Sequence, residues 1–222
     1  MRGALAAAMP GSDGRLPEPL RAGIEPPTPE ELASWEKLPG GAVELAQAGA
    51  RPADPAAAAE FYVRTGAAPS LDVHRIRGGE PRTIVPPVAY CDVSVRLAPG
   101  QDPETISRAF EALLRSGLPD GAELTYSAVL ASASRFDPDS EPLRIARVAL
   151  ARACDREPVL IRTGGSLPVL AAFSERGIPT IVSGFGLPQD AFHAPDESFA
   201  LTSLELGRRS ARTLYEDLAA LR

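Results

Sequence analysis

The spacing of apolar residues changes near Phe136, and this change divides the chain into two parts. Upstream, the segments LDVHRI (71–76) and PPVAYCDVSVRLAP (86–99) alternate apolar and polar residues, as half-buried strands do. Downstream, helical periodicity alternates with short apolar runs, which is typical of an α/β layer. We therefore expect an α+β domain over residues 1–134 and an α/β portion over residues 135–222.

The α+β part contains further recognisable elements. A helix is predicted after Asp102, with Pro103 in its first turn and Gly117 at its end. The segment AELTYSAVLAS (122–132) then predicts another strand. On the second strand one apolar face is shared by Ala89, Cys91, Val93, Val95 and Leu97. The expected layer is an open antiparallel sheet with helices on one face.

A Pro/Gly-rich insertion occupies about residues 10–69 and predicts short helices rather than a regular core. One helix begins at Thr28, whose spacing to Glu31 is that of a capping box, and another begins at Asp54. Before the insertion, MRGALAAAMPG has a short, Ala-dominated apolar run and no cleavage motif, which indicates a helix fragment rather than a signal peptide.

The second part predicts three helices separated by two strands. The first helix starts at Ser140, the second follows the glycines of GGSLPVLAAFSERG, and the third occupies about the last twenty residues. The predicted strands are EPVLIR (157–162) and PTIVSGFG (179–186). The expected buried face of the last helix consists of Leu204, Ala211, Leu214, Tyr215, Leu218 and Leu221.

Composition excludes several classes of protein. A net charge of −6 gives no electrostatic basis for binding nucleic acid. No apolar stretch approaches the ~20 residues of a membrane-spanning helix. Cys91 and Cys154 lie far apart, outside any Cys/His cluster, so we expect neither a disulfide framework nor a Cys-ligated zinc site. Free cysteines suit the reducing cytosol, and a cytoplasmic location is expected.

Three segments could carry chemistry. His193 lies in a Pro-stiffened loop with Asp196 and Glu197 nearby, which suits metal binding or proton transfer but equally a solvated histidine. In RTGGS (162–166) the glycines could present backbone N–H groups to an anion, or form an ordinary turn with a serine cap. Arg96 could bind a carboxylate, or simply pair with Asp92 on the polar face of its strand.

Three segments in this order resemble the second half of the carnosinase-like zinc dipeptidases, peptidase family M20. The segments are TIVPPVAYCDVSVRLAPGQDP, RTGGSLPV and GFGLPQDAFHAPDE. The resemblance implies that residues 1–134 are the ferredoxin-like lid or dimerisation domain of such an enzyme. It implies that residues 135–222 are an incomplete catalytic domain, and that the chain forms a homodimer through its lid.

The resemblance also implies roles for particular residues. His193 matches a ligand of the second of two zinc ions. Arg96 and Thr83 match lid groups that hold the substrate, Thr83 across the dimer. Gly165 and Ser166 match a turn that contacts the substrate carboxylate. Thr163 stands where carnosinases have a glutamate that recognises the amino end of the substrate, which leaves the substrate open.

The family's remaining zinc ligands and its general base belong to a first half that this sequence does not contain. One histidine cannot form a two-zinc centre, which needs several ligands per metal. We therefore expect at most a partial zinc site, in the C-terminal portion of an enzyme that cleaves a dipeptide or an N-acyl amino acid. A separate N-terminal half would complete it. The alternatives are a non-catalytic dimerisation module and, less favoured, an anion-binding domain built on the Gly-Gly-Ser turn.

Overall fold

The computed structural model describes residues 1–52, 54–80, 82–163, 168–219 and 221. The elements in chain order are helices α1 (Arg2–Ala8), α2 (Pro29–Trp35), α3 (Gly41–Gln47) and α4 (Pro55–Ala59), strands β1 (Ser70–Gly78) and β2 (Ala89–Arg96), and helices α5 (Pro103–Ser116), α6 (Glu141–Cys154), α7 (Pro168–Glu175) and α8 (Leu201–Leu218). A π-helical turn (Val63–Ala67) and two 3₁₀ turns (Glu18–Arg21 and Pro188–Asp190) connect them.

The two strands form an antiparallel hairpin in which Ser70 lies opposite Arg96 and Gly78 opposite Ala89. The register shifts between Val73 and Arg75, where His74 is the extra residue of a β-bulge. Directly opposed residues share a face of the sheet. The bulge therefore places both His74 and Arg75 on the open face, and returns Ile76, opposite Cys91, to the core face.

Helices α1 and α5 cover the core face of this sheet, as the sequence predicted. The buried core consists of Ala4, Ala8, Leu16, Leu20, Ile106, Phe110 and Leu114. Leu71, Val93 and Val95 of the strands pack against it. At the point where α1 crosses the end of α5, a Cβ on Gly117 would clash with the carbonyl oxygen of Gly3, so the contact requires glycine. The expected open sheet with helices on one face is confirmed.

The predicted strand at 122–132 is wrong: this segment forms no hydrogen-bonded strand. The alternating apolar residues still reach the core: Leu124 and Tyr126 pack on it, although the backbone of the segment is not part of the sheet. The Tyr126 hydroxyl lies 2.9 Å from Ser107 Oγ, and its ring lies 6.2 Å from that of Phe110. The segment therefore joins the core through its side chains, without strand pairing.

The Pro/Gly-rich segment forms the short helices expected of it. Thr28 caps α2 with both hydrogen bonds of a capping box, one to the Glu31 N–H and one from Glu31 back to the Thr28 N–H. Asp54 caps α4 by accepting from the N–H groups of Ala56 and Ala57. Trp35, at the end of α2, is buried.

In the second part, α6 packs against α8 through small residues. Ala146, Ala149 and Ala153 of α6 are buried, as are Ser203 and Ser210 of α8. The predicted buried face of α8 is wrong in part: Leu204 is 59% exposed and Tyr215 is 73% exposed, whereas Leu214 and Leu218 are half-buried. The two helices approach through small side chains, and Leu204 and Tyr215 consequently face outward.

The strands predicted at 157–162 and 179–186 are also wrong for this chain, since neither segment is paired in the described residues. Their apolar character remains visible as exposed Leu160 and Ile161 in the first, and exposed Val182 in the second. A strand needs a neighbour to satisfy its backbone groups, and the described residues supply none here. No helix in the described part of the chain is long and apolar enough to cross a membrane.

Candidate functional site

Besides Arg96, the open face of the β1–β2 hairpin carries three pairs of interacting side chains. Arg75 Nε donates to Asp92 Oδ2 at 2.7 Å, and His74 Nε2 lies 2.8 Å from Ser94 Oγ. Beyond the bulge, Arg77 stacks over the ring of Tyr90. The bulge creates this arrangement because it adds one residue to the polar face of β1.

Arg96 is the loosely held member of this face. The sequence left open a pairing with Asp92, but Asp92 is bound by Arg75, and Arg96 contacts Asp72 instead. The distance from Arg96 Nε to Asp72 Oδ2 is 3.4 Å, and both side chains are about half exposed. A long, exposed ion pair contributes little stability. The Arg96 guanidinium is therefore accessible to a carboxylate from solution.

Thr83 lies in the loop between the two strands and is exposed. Its side chain makes no hydrogen bond within the described residues. Two apolar neighbours extend the loop into solvent, Ile84 at 69% and Val85 at 87% exposure. The hairpin tip thus presents a hydroxyl beside an uncovered apolar surface.

The loop that carries His193 is fixed by a buried carboxylate that sequence reasoning missed. Asp190 is 2% exposed; its Oδ2 accepts from the N–H of Leu187 at 2.7 Å, and its carbonyl accepts from the N–H of Ser198. The signal for it was local, since Pro188 begins a 3₁₀ turn that Asp190 caps. Asp190 closes the loop at both ends.

Within that loop the backbone is held in unusual conformations. Ala191, His193 and Asp196 have φ values of 54°, 61° and 62°, which is the left-handed region that disfavours side chains. The His193 N–H contacts Glu197 Oε2 at 3.3 Å, while the residue itself is exposed. Such conformations cluster at functional sites.

Arg162 does not serve as a free anion-binding group. Its Nε and Nη2 donate to the two carboxylate oxygens of Glu31 at 2.8 and 2.7 Å, and its Nη1 donates to the carbonyl of Glu25 at 2.7 Å. The guanidinium beside Glu31 holds the pKa of that carboxyl below its usual range. Close to this ion pair, Trp35 Nε1 donates to the carbonyl of Leu160. The contacts of Arg162 with Glu31 and of Trp35 with Leu160 form a junction that joins α2 to the segment leading to Thr163.

The predicted site residues that the structure describes are not joined by direct polar contacts. Thr163 is exposed, and Gly165 and Ser166 lie outside the described residues. No described hydrogen bond or ion pair joins any two of Arg96, Thr83, Thr163 and His193. Burial raises the pKa of the Cys91 thiol on the core face, and both cysteines are free.

A complete metal centre does not fit the described residues. No group of three or more His, Cys, Asp or Glu side chains among them is arranged to hold a metal ion. Zinc sites in proteins take three or four protein ligands. The residues that the structure describes therefore do not form a complete metal site by themselves.

Residues 29–122 match the family model described as the peptidase dimerisation domain of the M20 peptidases. This part of the chain, less than half of its 222 residues, is similar to an M20 dimerisation domain. Among curated proteins, no sequence matches it significantly. The matched range lies inside the predicted lid domain, whose boundary at 134 stays a prediction.

Solved structures of M20-type enzymes share the fold of the whole chain. The di-peptidase Dug1p from Saccharomyces cerevisiae is 18% identical with a TM-score of 0.75 over 97% of this chain. Human carnosine dipeptidase 1 is 18% identical with a TM-score of 0.72 over 99% of it. The metallo-carboxypeptidase Sso-CP2 from Sulfolobus solfataricus is 21% identical with a TM-score of 0.74 over 95%.

The chain spans only about half of each of these structures, 47%, 48% and 51% of their respective lengths. At these identities the similarity concerns the fold. The M20 lid domain and part of the M20 catalytic domain together account for the architecture, as the sequence predicted.

Proposed function

We propose that this chain supplies the C-terminal half of a zinc-dependent dipeptidase or related amidohydrolase. The relatives in the M20 family support the reaction class. In this proposal Arg96, Thr83, Thr163, Gly165 and Ser166 bind a peptide-like substrate with a free carboxylate, and His193 is the chain's ligand to the metal. The lid forms a homodimer, and the enzyme is cytoplasmic.

The observation that carries the proposal is the exposed apolar surface of two segments in the second part of the chain. The segments 157–162 and 179–186 are strand-like in sequence, lack strand partners among the described residues, and expose Leu160, Ile161 and Val182. Exposed apolar surface of this kind marks an interaction site. Unpaired extended backbone accepts a further strand. A complementary polypeptide that adds strands there would also bring the missing metal ligands and the general base.

Of the chain's own residues, Arg96 offers the clearest chemistry. A guanidinium binds a carboxylate with two parallel hydrogen bonds, which orients the substrate as well as holding it. Hydrolysis would require a base and a metal-activated water, which the complementary half must supply. When bound, zinc would polarise the scissile carbonyl. The role of this chain is to position the substrate.

The experiment is complementation. The chain is mixed with a polypeptide from the same genome that carries the metal-binding half, with Zn²⁺ and a dipeptide. We expect a one-to-one complex, slowed amide hydrogen exchange at Leu160, Ile161 and Val182, and dipeptide hydrolysis. Val182→Lys should abolish complex formation, whereas Val129→Lys, at a fully exposed valine elsewhere, should not. A complex without protection of those amides, or without hydrolysis, would overturn the proposal.

The second candidate is a non-catalytic dimerisation module. The family match favours it, because only the dimerisation domain is matched, and so does the exposed apolar hairpin tip at Ile84 and Val85. In that case the complementation experiment yields a stable dimer of this chain and no hydrolysis with any added half.

A further inference from the structure

A cavity of about 320 Å³ lies between the Pro/Gly-rich N-terminal segment and the turn that leads into β1. Leu16 and Ala67, both buried, line it. Four prolines contribute to the walls: Pro10, Pro26, Pro27 and Pro69. Because proline fixes the backbone angle φ, these walls are held in place before any ligand arrives. Preformed, largely apolar cavities of this size are typical of small-molecule sites.

Three arginines line the same cavity, and two of them are already neutralised. Arg15 and Arg64 both donate to the carboxylate of Glu60, and Arg64 also donates to Asp54. Two positive and two negative charges therefore balance within this network.

Arg21 is the third arginine, and it differs from the other two. It is exposed, and it forms no ion pair or side-chain hydrogen bond in the part of the chain that the structure describes. The cavity therefore combines an apolar interior with one uncompensated positive charge. That charge is a guanidinium, whose planar donors match a carboxylate.

We propose that this cavity binds a small apolar molecule that carries one carboxylate group. The apolar body lies against Leu16 and Ala67, and the carboxylate pairs with Arg21. A single ring or a short branched chain suits the volume, which is at the lower end of the ~300–1,000 Å³ of small-molecule sites. None of the residues assigned to substrate binding in the dipeptidase proposal lines this cavity, so the inference does not depend on that proposal.

The test compares two probes of equal shape, phenylbutyrate and the neutral phenylbutanol, by calorimetric and NMR titration of the full 222-residue chain. We expect phenylbutyrate to bind at least about tenfold more tightly, since a charge-assisted hydrogen bond is worth about that much. The largest amide shifts should fall on residues that line the cavity. Arg21→Gln should reduce phenylbutyrate affinity to that of phenylbutanol.

Two variants complete the design. Arg51→Gln removes an exposed arginine outside the cavity and should change neither affinity. Ala68→Leu places extra side-chain volume in the cavity lining and should weaken both probes, while an unchanged melting temperature shows that the chain still folds. The proposal is overturned if neither probe binds, if both bind equally, or if Arg51→Gln weakens phenylbutyrate as much as Arg21→Gln does.

Discussion

Arg162 and Glu31 form a two-point ion pair that joins residues 131 positions apart in the sequence. Arg162 is the more buried partner, with 12% of its side chain exposed. Glu31 uses the same carboxylate to complete the capping box of α2, and Arg162 also binds the carbonyl of Glu25. One guanidinium thus connects the insertion in the first part of the chain to the segment before Thr163 in the second.

Arg162→Ala should lower the free energy of unfolding by about 2 kcal/mol, because it leaves the Glu31 carboxylate and the Glu25 carbonyl short of a partner in a half-buried place. Urea denaturation measures the loss. Arg208→Ala removes a two-point pair with Glu205 that is fully accessible to water, and should cause no measurable change. Equal losses in the two variants would contradict a special role for the junction.

The same pair makes stability depend on pH. The pKa of Glu31 is lowered by the hydrogen bond from Arg162, so its stabilisation is fully present above the ordinary value of 4.5 and is lost as pH falls through the lowered pKa. Unfolding measured from pH 6 to pH 3 should show stability falling below about pH 4.5, and Glu31→Gln should flatten part of that fall.

Other carboxyls will leave some pH dependence in Glu31→Gln, since arginine and hydroxyl donors also lower the pKa of Asp54 and Asp102. Glu36→Gln, at an exposed glutamate with no ion pair in the described residues, is the matched control. A pH profile of Glu31→Gln that overlays that of Glu36→Gln would show that the pair does not contribute.

Arg96→Ala, tested in the reconstituted enzyme, should lower kcat/KM by about 10²-fold, because it removes a charge-assisted contact with the substrate carboxylate. Arg75→Ala removes a neighbouring arginine that is already bound to Asp92, and should have a small effect. Steady-state kinetics of both variants are measured on a dipeptide and on its C-terminal amide, which lacks the free carboxylate. The loss in Arg96→Ala should be confined to the substrate with a free carboxylate.

Asp72→Asn should affect substrate binding in the opposite direction to Arg96→Ala. Asp72 is the resident partner of Arg96 at 3.4 Å, so its neutralisation should free the guanidinium and lower KM for the free dipeptide. Unchanged kinetics in both Arg96→Ala and Asp72→Asn would place the substrate carboxylate elsewhere.

The chain should self-associate, because an open hairpin sheet has unpaired edges and its tip is apolar. Light scattering at micromolar concentration should give about twice the 23.3 kDa mass of one chain. Replacing Ile84 and Val85 together by Asp should shift the chain toward monomer if the tip is part of the interface. A monomer at every concentration would count against a lid dimer.

The chain alone should bind Zn²⁺ only weakly and hydrolyse no dipeptide. His193 is its one proposed metal ligand, and the described residues hold no group of three ligands around it. Isothermal titration with Zn²⁺ and a hydrolysis assay on the pure chain measure both, with His193→Ala as the control. Stoichiometric submicromolar binding that His193→Ala abolishes, with turnover, would show that the chain carries a complete centre.

Sequence alone determined the elements whose signals are local. Three helix starts were predicted correctly, because a capping side chain accepts hydrogen bonds from N–H groups two or three residues away. These starts are marked by Thr28 with Glu31, by Asp54, and by Asp102 with Pro103. The alternation in 71–76 and 89–97 likewise predicted the β1–β2 hairpin, since the apolar face meets a core that the adjacent α5 completes. The family resemblance came from short motifs of the same local kind.

Only the tertiary structure decided which partner each element meets. The segments 122–132, 157–162 and 179–186 have strand-like sequences, yet pairing needs a neighbour from elsewhere in the chain, and none is supplied among the described residues. The apolar spacing of α8 predicted burial of the face that carries Leu204 and Tyr215. The small residues of α6 instead pack against the face that carries Ser203 and Ser210. The pairing of Arg162 with Glu31, and of Arg96 with Asp72 rather than Asp92, depends on distances between remote residues, which local sequence does not encode.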